Sequence, residues 1–148
     1  FYAAIERVET PYFFFLDDDD QLPADYLSVL EDCVKADCAV AYTDEKRINR
    51  GSTTIARGGE YSKEKHLANP LMLHHLVLCK TAQAKKSLPF IPKGQYWPEM
   101  PLYFDLAQDS AAYIPRVGYH WHRSNGLSST ADIAIGQTRS RIWCGSAR

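Results

Sequence analysis

The chain lacks an excess of charge of either sign. Its 17 Lys and Arg stand against 18 Asp and Glu, a formal net charge of −1. So even a balance gives no general pull toward nucleic acid or an anionic membrane. Long apolar runs are missing as well. A stretch such as Tyr12 to Leu16 falls far short of the roughly 20 residues that a spanning helix needs. No basic leader with a small-residue cleavage site opens the chain, which starts at Phe1. Cysteine is sparse, with residues 33, 38, 79 and 144 and no C-x-x-C pair. That pattern argues against a zinc site or a disulfide framework and sets a reduced, cytoplasmic setting as the expectation. There is no internal repeat and no low-complexity linker.

What is present suits a globular domain. With 148 residues and 45% hydrophobic side chains, the chain can build one core without staples. We read residues 1–148 as a single domain, with a polar tail over 124–148. The expected class is α/β, a mixed, mostly parallel sheet flanked by helices. Tyr12-Phe13-Phe14-Phe15-Leu16 is apolar without alternation, which predicts a strand covered on both faces. Past Pro23, the spacing of Tyr26, Leu27, Leu30, Cys33 and Val34 predicts an amphipathic helix ending near Lys35 to Asp37. Cys38 to Tyr42 reads as the next strand, so the unit suggests a parallel crossover.

Further along, 45–49 and 53–57 flank Arg50-Gly51-Ser52 and read as a hairpin. Residues 62–67 read as a short helix stopped before Asn69-Pro70. A strand is expected over 75–80, helices over 81–87 and 102–108, and strands over 112–114 and 117–122. Prolines 89, 92, 98 and 101 define a rigid irregular segment carrying Phe90, Tyr96 and Trp97.

The chemistry concentrates in Asp17-Asp18-Asp19-Asp20, directly after the apolar strand. In an extended segment Asp17 and Asp19 share one side and Asp18 and Asp20 the other. Two same-side carboxylates at a strand end suit a hard divalent cation, Mg²⁺ or Mn²⁺. Ligands of open α/β sheets gather at the carboxyl ends of strands. A cation held by few protein groups keeps positions open for phosphate oxygens and favours departure of a phosphate-bearing group. The plainer alternative is complementation of the following helix dipole, about 0.3–1 kcal/mol per acid. Four acids exceed what capping needs. A calcium loop of the EF-hand type is a poorer match, because Leu22 stands where its glycine belongs.

The run Tyr12-Phe13-Phe14-Phe15-Leu16-Asp17-Asp18-Asp19-Asp20-Gln21-Leu22-Pro23-Ala24-Asp25-Tyr26-Leu27 resembles the core of family 2 glycosyltransferases of the GT-A fold, in which an apolar strand delivers a D-x-D motif. Looser likenesses extend along the chain. Trp97-Pro98-Glu99-Met100-Pro101-Leu102-Tyr103 falls where the family opens a helix with a Glu-Asp pair. Tyr113-Ile114-Pro115 and Tyr119-His120-Trp121-His122-Arg123 are similar to its late strands, and Ser128-Ser129 to its closing serines.

The resemblance implies a partial GT-A fold, a nucleotide-diphosphate sugar donor, a hydroxyl acceptor and Mn²⁺ or Mg²⁺. Asp19 would be the leading metal ligand, Asp17 the second and the late His122 a third. Asp18 would contact the nucleotide ribose or assist the metal, and Arg123 would meet the diphosphate, with Arg116 a second candidate there. Inverting members use a carboxylate of the Glu-Asp pair as base. Here that leaves Glu99, since Met100 cannot take a proton. In the family a nucleoside-binding half precedes the D-x-D strand, whereas 11 residues precede Tyr12. The expectation is a homo-oligomer, or pairing with a missing N-terminal portion, to cover that strand.

Other residues were weighed against plainer roles. His120 is a candidate metal ligand alongside His122, though surface or hydrogen-bonded roles are commoner. His74-His75 reads as a loop-to-strand junction rather than a ligand pair. Trp97 and Tyr96 suit sugar stacking or core packing equally. Two further readings remain. In a haloacid-dehalogenase-type phosphatase Asp17 would be the nucleophile and Asp19 the general acid, but Gln21 stands where Thr or Val is expected. In a non-catalytic binding or assembly module the transferase-like fold would be retained without its base, as Met100 suggests.

Overall fold

A computed structural model describes residues 1–49, 51–94 and 97–122. The elements run α1 (Tyr2–Arg7), β1 (Tyr12–Phe13), α2 (Tyr26–Lys35), β2 (Val40–Asn49), β3 (Ser52–Ala56), α3 (Lys63–Ala68), β4 (Val77–Lys80), α4 (Thr81–Ser87), α5 (Glu99–Asp109) and β5 (Ala111–His122). Two 3₁₀ turns, Pro70–Met72 and Leu88–Phe90, punctuate the second half. Among the described residues no helix is long and apolar enough to cross a membrane.

The long strand β2 organises the sheet. β5 runs parallel along one edge, from Val40↔Ala111 to Ile48↔His122. The opposite edge is shared. β4 lies antiparallel to the first part, Val40↔Cys79 to Tyr42↔Val77, and β3 closes a hairpin on the second, Glu45↔Ala56 to Asn49↔Ser52. β1 then pairs antiparallel with β4 through Tyr12↔Lys80 and Phe13↔Cys79.

The sheet is therefore mixed rather than mostly parallel, and among the described residues only the β2–β5 pairing is parallel. The physical reason is β4. It enters between β1 and β2 in the opposite direction, and a strand apolar on both faces carries no mark of its neighbours' direction. β1 and β2 still run the same way, because each is antiparallel to β4, so α2 does connect two like-directed strands.

Side chains of the β1 segment pack on both faces but are only half-buried, and Leu16 is 47% exposed, short of the full cover that the unbroken apolar run predicts. Phe13 and Phe15 pack with Ile5, Val40, Tyr42, Val77, Leu102 and Leu106, whereas Tyr12 and Phe14 pack with Val29, Cys33, Leu78 and Tyr119. Phe1 stacks on Phe15 with ring centroids 5.3 Å apart. Only Tyr12–Phe13 is paired as strand, and 14–17 continues extended towards the acidic turn.

Local signals explain the helices. Ser62 caps α3 by accepting from the Lys65 amide at 3.1 Å. The inner stripe of α2 is rotated from the spacing-based expectation. Val29 and Cys33 are buried, whereas Leu27 and Val34 are exposed. The two late strands form one, with Pro115-Arg116 bulged out where the register slips beside Thr43 and Asp44. A bulge is where a strand tolerates proline, because no ladder N–H is required there.

Candidate functional site

The acidic turn is fastened to the end of β5. The Gln21 amide donates to the His120 carbonyl at 3.2 Å, and the His120 amide donates back to Gln21 at 2.8 Å. Asp20 Oδ1 accepts from the His122 amide at 2.7 Å, and the Asp17 amide donates to the Tyr119 hydroxyl at 3.1 Å. Within the turn, the Asp20 amide donates to the Asp17 carbonyl at 3.3 Å. These bonds place the Asp17 and Asp20 side chains beside the segment that leads into β4.

That segment carries His74 and His75. The β2–β4 register, continued past Tyr42↔Val77, brings Glu45 level with them. Both Nδ1 atoms lie 3.0 Å from Glu45 Oε2, and Arg47 Nε lies 2.6 Å from Glu45 Oε1. Glu45 is 4% exposed. Burial opposes its ionisation, but the hydrogen bonds and charges of His74 and His75 outweigh it and hold the carboxyl well below its usual range. An ionised carboxylate only accepts, so both imidazoles are hydrogen-bearing at Nδ1. His75 lies flat on Tyr119, ring centroids 4.3 Å apart and 11° from parallel, with the edge of Trp121 at 5.7 Å. The Arg47 guanidinium sits 5.3 Å above the Trp121 ring.

His75 Nε2 faces Asp17 Oδ2 at 3.8 Å. One ligating atom each from Asp17, Asp20 and His75 lies within 4.8 Å of the others, and Glu45, His74 and His75 form a second such group. Asp20 Oδ2 is buried without a hydrogen-bond partner among the described residues, and the neighbouring Tyr119 hydroxyl favours its ionised form. Burial raises the Asp20 carboxyl, opposed by the His122 amide. Burial lowers His75, only partly opposed by Glu45. A donor set of two carboxylates and an imidazole fits a divalent first-row cation.

Of the residues singled out from sequence, Asp17 belongs to this group. Asp18 and Asp19 are exposed at the turn outside it, although the charge of Asp19 is felt at Asp20. His122 contributes its backbone amide to Asp20. Its buried Nε2 has no hydrogen-bond partner among the described residues. His120 joins neither ligand group. Arg123 and Tyr96 lie outside the described residues, as do Ser128, Ser129 and the 124–148 tail. Arg116 is engaged at α2, donating to Asp32 Oδ2 at 2.6 Å, Asp25 Oδ2 at 2.7 Å and Ser28 Oγ at 3.0 Å.

Glu99 opens α5 and is pushed up to about 7, chiefly by burial, with the Asp17 charge adding to the effect. Met100 is 5% exposed and packs in the core. Trp97 is half-buried against the same core. Sequence reasoning passed over Glu45 and His75 as ligand-site residues. The available signal was a paired histidine directly before an apolar strand.

A scan against protein-family models and a search of curated proteins found no match to the chain.

Proposed function

We propose that the chain is the metal- and acceptor-side portion of a GT-A-like glycosyltransferase, moving a sugar from a nucleotide-diphosphate donor to an acceptor hydroxyl. The observation that carries this reading is the meeting of two groups distant in sequence. Asp17, at the end of an apolar extended segment, stands within electrostatic reach of a half-buried carboxyl, Glu99, which is raised to about 7. A ligand-bearing carboxylate beside a group able to accept a proton at neutral pH is what transfer to a hydroxyl requires.

In this reading Asp17 and Asp19 hold Mg²⁺ or Mn²⁺ from the acidic turn, with Asp20 and His75 available beside Asp17 and His122 supporting Asp20. The bound cation would offset the negative charge that develops on the departing nucleoside diphosphate. Asp18 contacts the ribose and Arg123 the diphosphate oxygens. Glu99, once ionised, removes the acceptor hydroxyl proton. Partial burial of Glu99 raises its proton affinity above that of an exposed carboxylate. The setting is cytoplasmic, and the partner in nucleoside recognition is a second copy of the chain.

The test is isothermal titration with Mn²⁺ and a panel of uridine, guanosine and thymidine diphospho-sugars, followed by assay of nucleoside diphosphate release. Metal-dependent donor binding that is lost in Asp17→Asn is expected. Absence of both metal and donor binding across the panel overturns the reading. One observation favours a second reading, a non-catalytic module of the same fold. Met100 occupies the family's second acidic position as a core residue. Metal and donor binding without turnover in the presence of any acceptor would select it.

A further inference from the structure

We propose that His75, held in one orientation and one tautomer by Glu45, is a nitrogen ligand of the cation site at Asp17 and Asp20, and that it makes this site prefer Mn²⁺ to Mg²⁺. The inference rests on the reading that Asp17 binds a divalent metal, and adds a ligand that lies outside the acidic motif.

The argument begins at Glu45. Its Oε2 accepts from both His74 and His75 Nδ1, and its Oε1 lies against Arg47. With two imidazole donors and a guanidinium already on it, this carboxylate is poorly disposed to take a second cation. It serves instead to orient the imidazoles. A histidine that donates Nδ1–H to a buried carboxylate presents its Nε2 lone pair on the far side of the ring, the arrangement in which imidazoles bind metals. The far side of His75 faces Asp17. The ring cannot turn away freely, because it lies flat on Tyr119 with Trp121 at its edge.

The neighbourhood is then a set of acceptors facing acceptors. A nitrogen lone pair, the Asp17 carboxylate and the Asp20 carboxylate converge, with one ligating atom of each within 4.8 Å of the others. The 3.8 Å between His75 Nε2 and Asp17 Oδ2 is too long for a hydrogen bond, so no shared proton relieves the repulsion. A cation between them would. The same Tyr119 that stacks on His75 fixes the Asp17 backbone through its hydroxyl, so one side chain sets the spacing of both groups.

Ligand type gives the selectivity. Mg²⁺ favours oxygen and retains its waters, whereas Mn²⁺ and later first-row ions accept imidazole nitrogen more readily. His74 shares the Glu45 contact but belongs only to the Glu45 group, so it is assigned no ligand role.

The test uses the full chain loaded with Mn²⁺ and pulsed electron paramagnetic resonance, which detects ¹⁴N bonded to the ion. Wild type is expected to show imidazole nitrogen modulation. His75→Gln should lose it and bind Mn²⁺ about tenfold or more weakly, with Mg²⁺ affinity changed far less. Glu45→Gln should retain the modulation with weakened affinity, and His74→Gln should retain it unchanged. Circular dichroism verifies that each variant is folded, and the wild-type spectrum decides the presence of nitrogen even if His75→Gln does not fold. Bound Mn²⁺ without nitrogen modulation overturns the assignment of His75 and leaves the metal reading standing. Modulation lost in His74→Gln or His122→Gln, and kept in His75→Gln, overturns it likewise. No Mn²⁺ bound at millimolar concentration overturns both.

Discussion

Tyr119 and His75 lie face to face, 4.3 Å between ring centroids and 11° from parallel, and the Tyr119 hydroxyl accepts the backbone N–H of Asp17 at 3.1 Å. One fully buried ring thus sets the positions of an imidazole and a carboxylate that arrive from different elements. Tyr119→Phe keeps the stack and removes only the hydroxyl. The Asp17 amide then loses its partner, which should lower stability by about 1 kcal/mol. If the pairing matters for ion binding, Mn²⁺ affinity should fall by more than that stability change explains. Thermal melts with and without Mn²⁺ check both, and an unchanged metal-induced shift in melting temperature would separate Tyr119 from the site.

The register that places Tyr119 depends on Gly118. A methyl group there would lie 2.5 Å from Thr43 Oγ1 and 2.9 Å from Thr43 Cγ2. Thr43 has little room to move. Its hydroxyl accepts the Leu76 amide at 3.2 Å and donates to the Asp44 carbonyl at 3.0 Å. Gly118→Ala should therefore cost about 1–3 kcal/mol by overpacking and weaken Mn²⁺ binding by displacing Tyr119 and the His75–Leu76 segment together. Thr43→Ser with Gly118→Ala should recover part of the stability, read as the midpoint of denaturant unfolding.

The parts of this arrangement that local chemistry decides could be read directly from the residues. Tyr12 to Phe15 pack on both faces although Leu16 is exposed, the chain between Asn49 and Ser52 closes a hairpin, and Asp17 stood out as a carboxylate after an apolar segment. Glu99 was legible as the one acid of its motif. The Glu45–His75 contact was not, because 30 residues separate the two and only the antiparallel entry of β4 beside β2 brings them together. Nothing in Val77–Lys80 marks its direction. Likewise, Leu27 and Val34 belong to the same apolar repeat as Cys33, yet the face that packs on the sheet runs through Val29 and Cys33 and leaves them exposed.

His66 should impose a pH dependence on stability. The ring is 2% exposed, wedged between Tyr61 and Phe104, and burial lowers it from 6.5 to about 4, with the nearby Pro70 carbonyl opposing in part. Above pH 6.5 the ring is neutral whether the chain is folded or not, and its full contribution is present. As pH falls from 6.5 to 4, the unfolded chain takes a proton that the folded chain refuses. Stability is lost across that window, by up to about 3 kcal/mol. His66→Phe keeps an aromatic ring between Tyr61 and Phe104 without the titration. Its unfolding free energy should vary less between pH 7 and pH 4.5 than that of wild type. Parallel curves for the two proteins would remove His66 as the cause.

Glu99 gives the opposite sign and links stability to chemistry. Its carboxyl is raised from 4.5 to about 7. The folded chain therefore holds a proton that the unfolded chain releases, and stability is complete below pH 4.5 and lost as pH rises through 7. Glu99→Gln mimics the neutral acid. At pH 8 the variant should be more stable than wild type by about 1–3 kcal/mol, and at pH 4 the two should match. Catalysis should show the reverse preference, because only the ionised group accepts a proton. In the proposed transferase the rate should rise with slope one on a limb between pH 4.5 and 7. A dication at Asp17 would move that limb towards the lower end by cancelling the Asp17 charge. Glu99→Gln should flatten the limb and reduce kcat by about 10²–10⁴-fold. A variant that gains stability at pH 8 yet retains full turnover would leave Glu99 as a half-buried acid of the fold and transfer the role of base elsewhere.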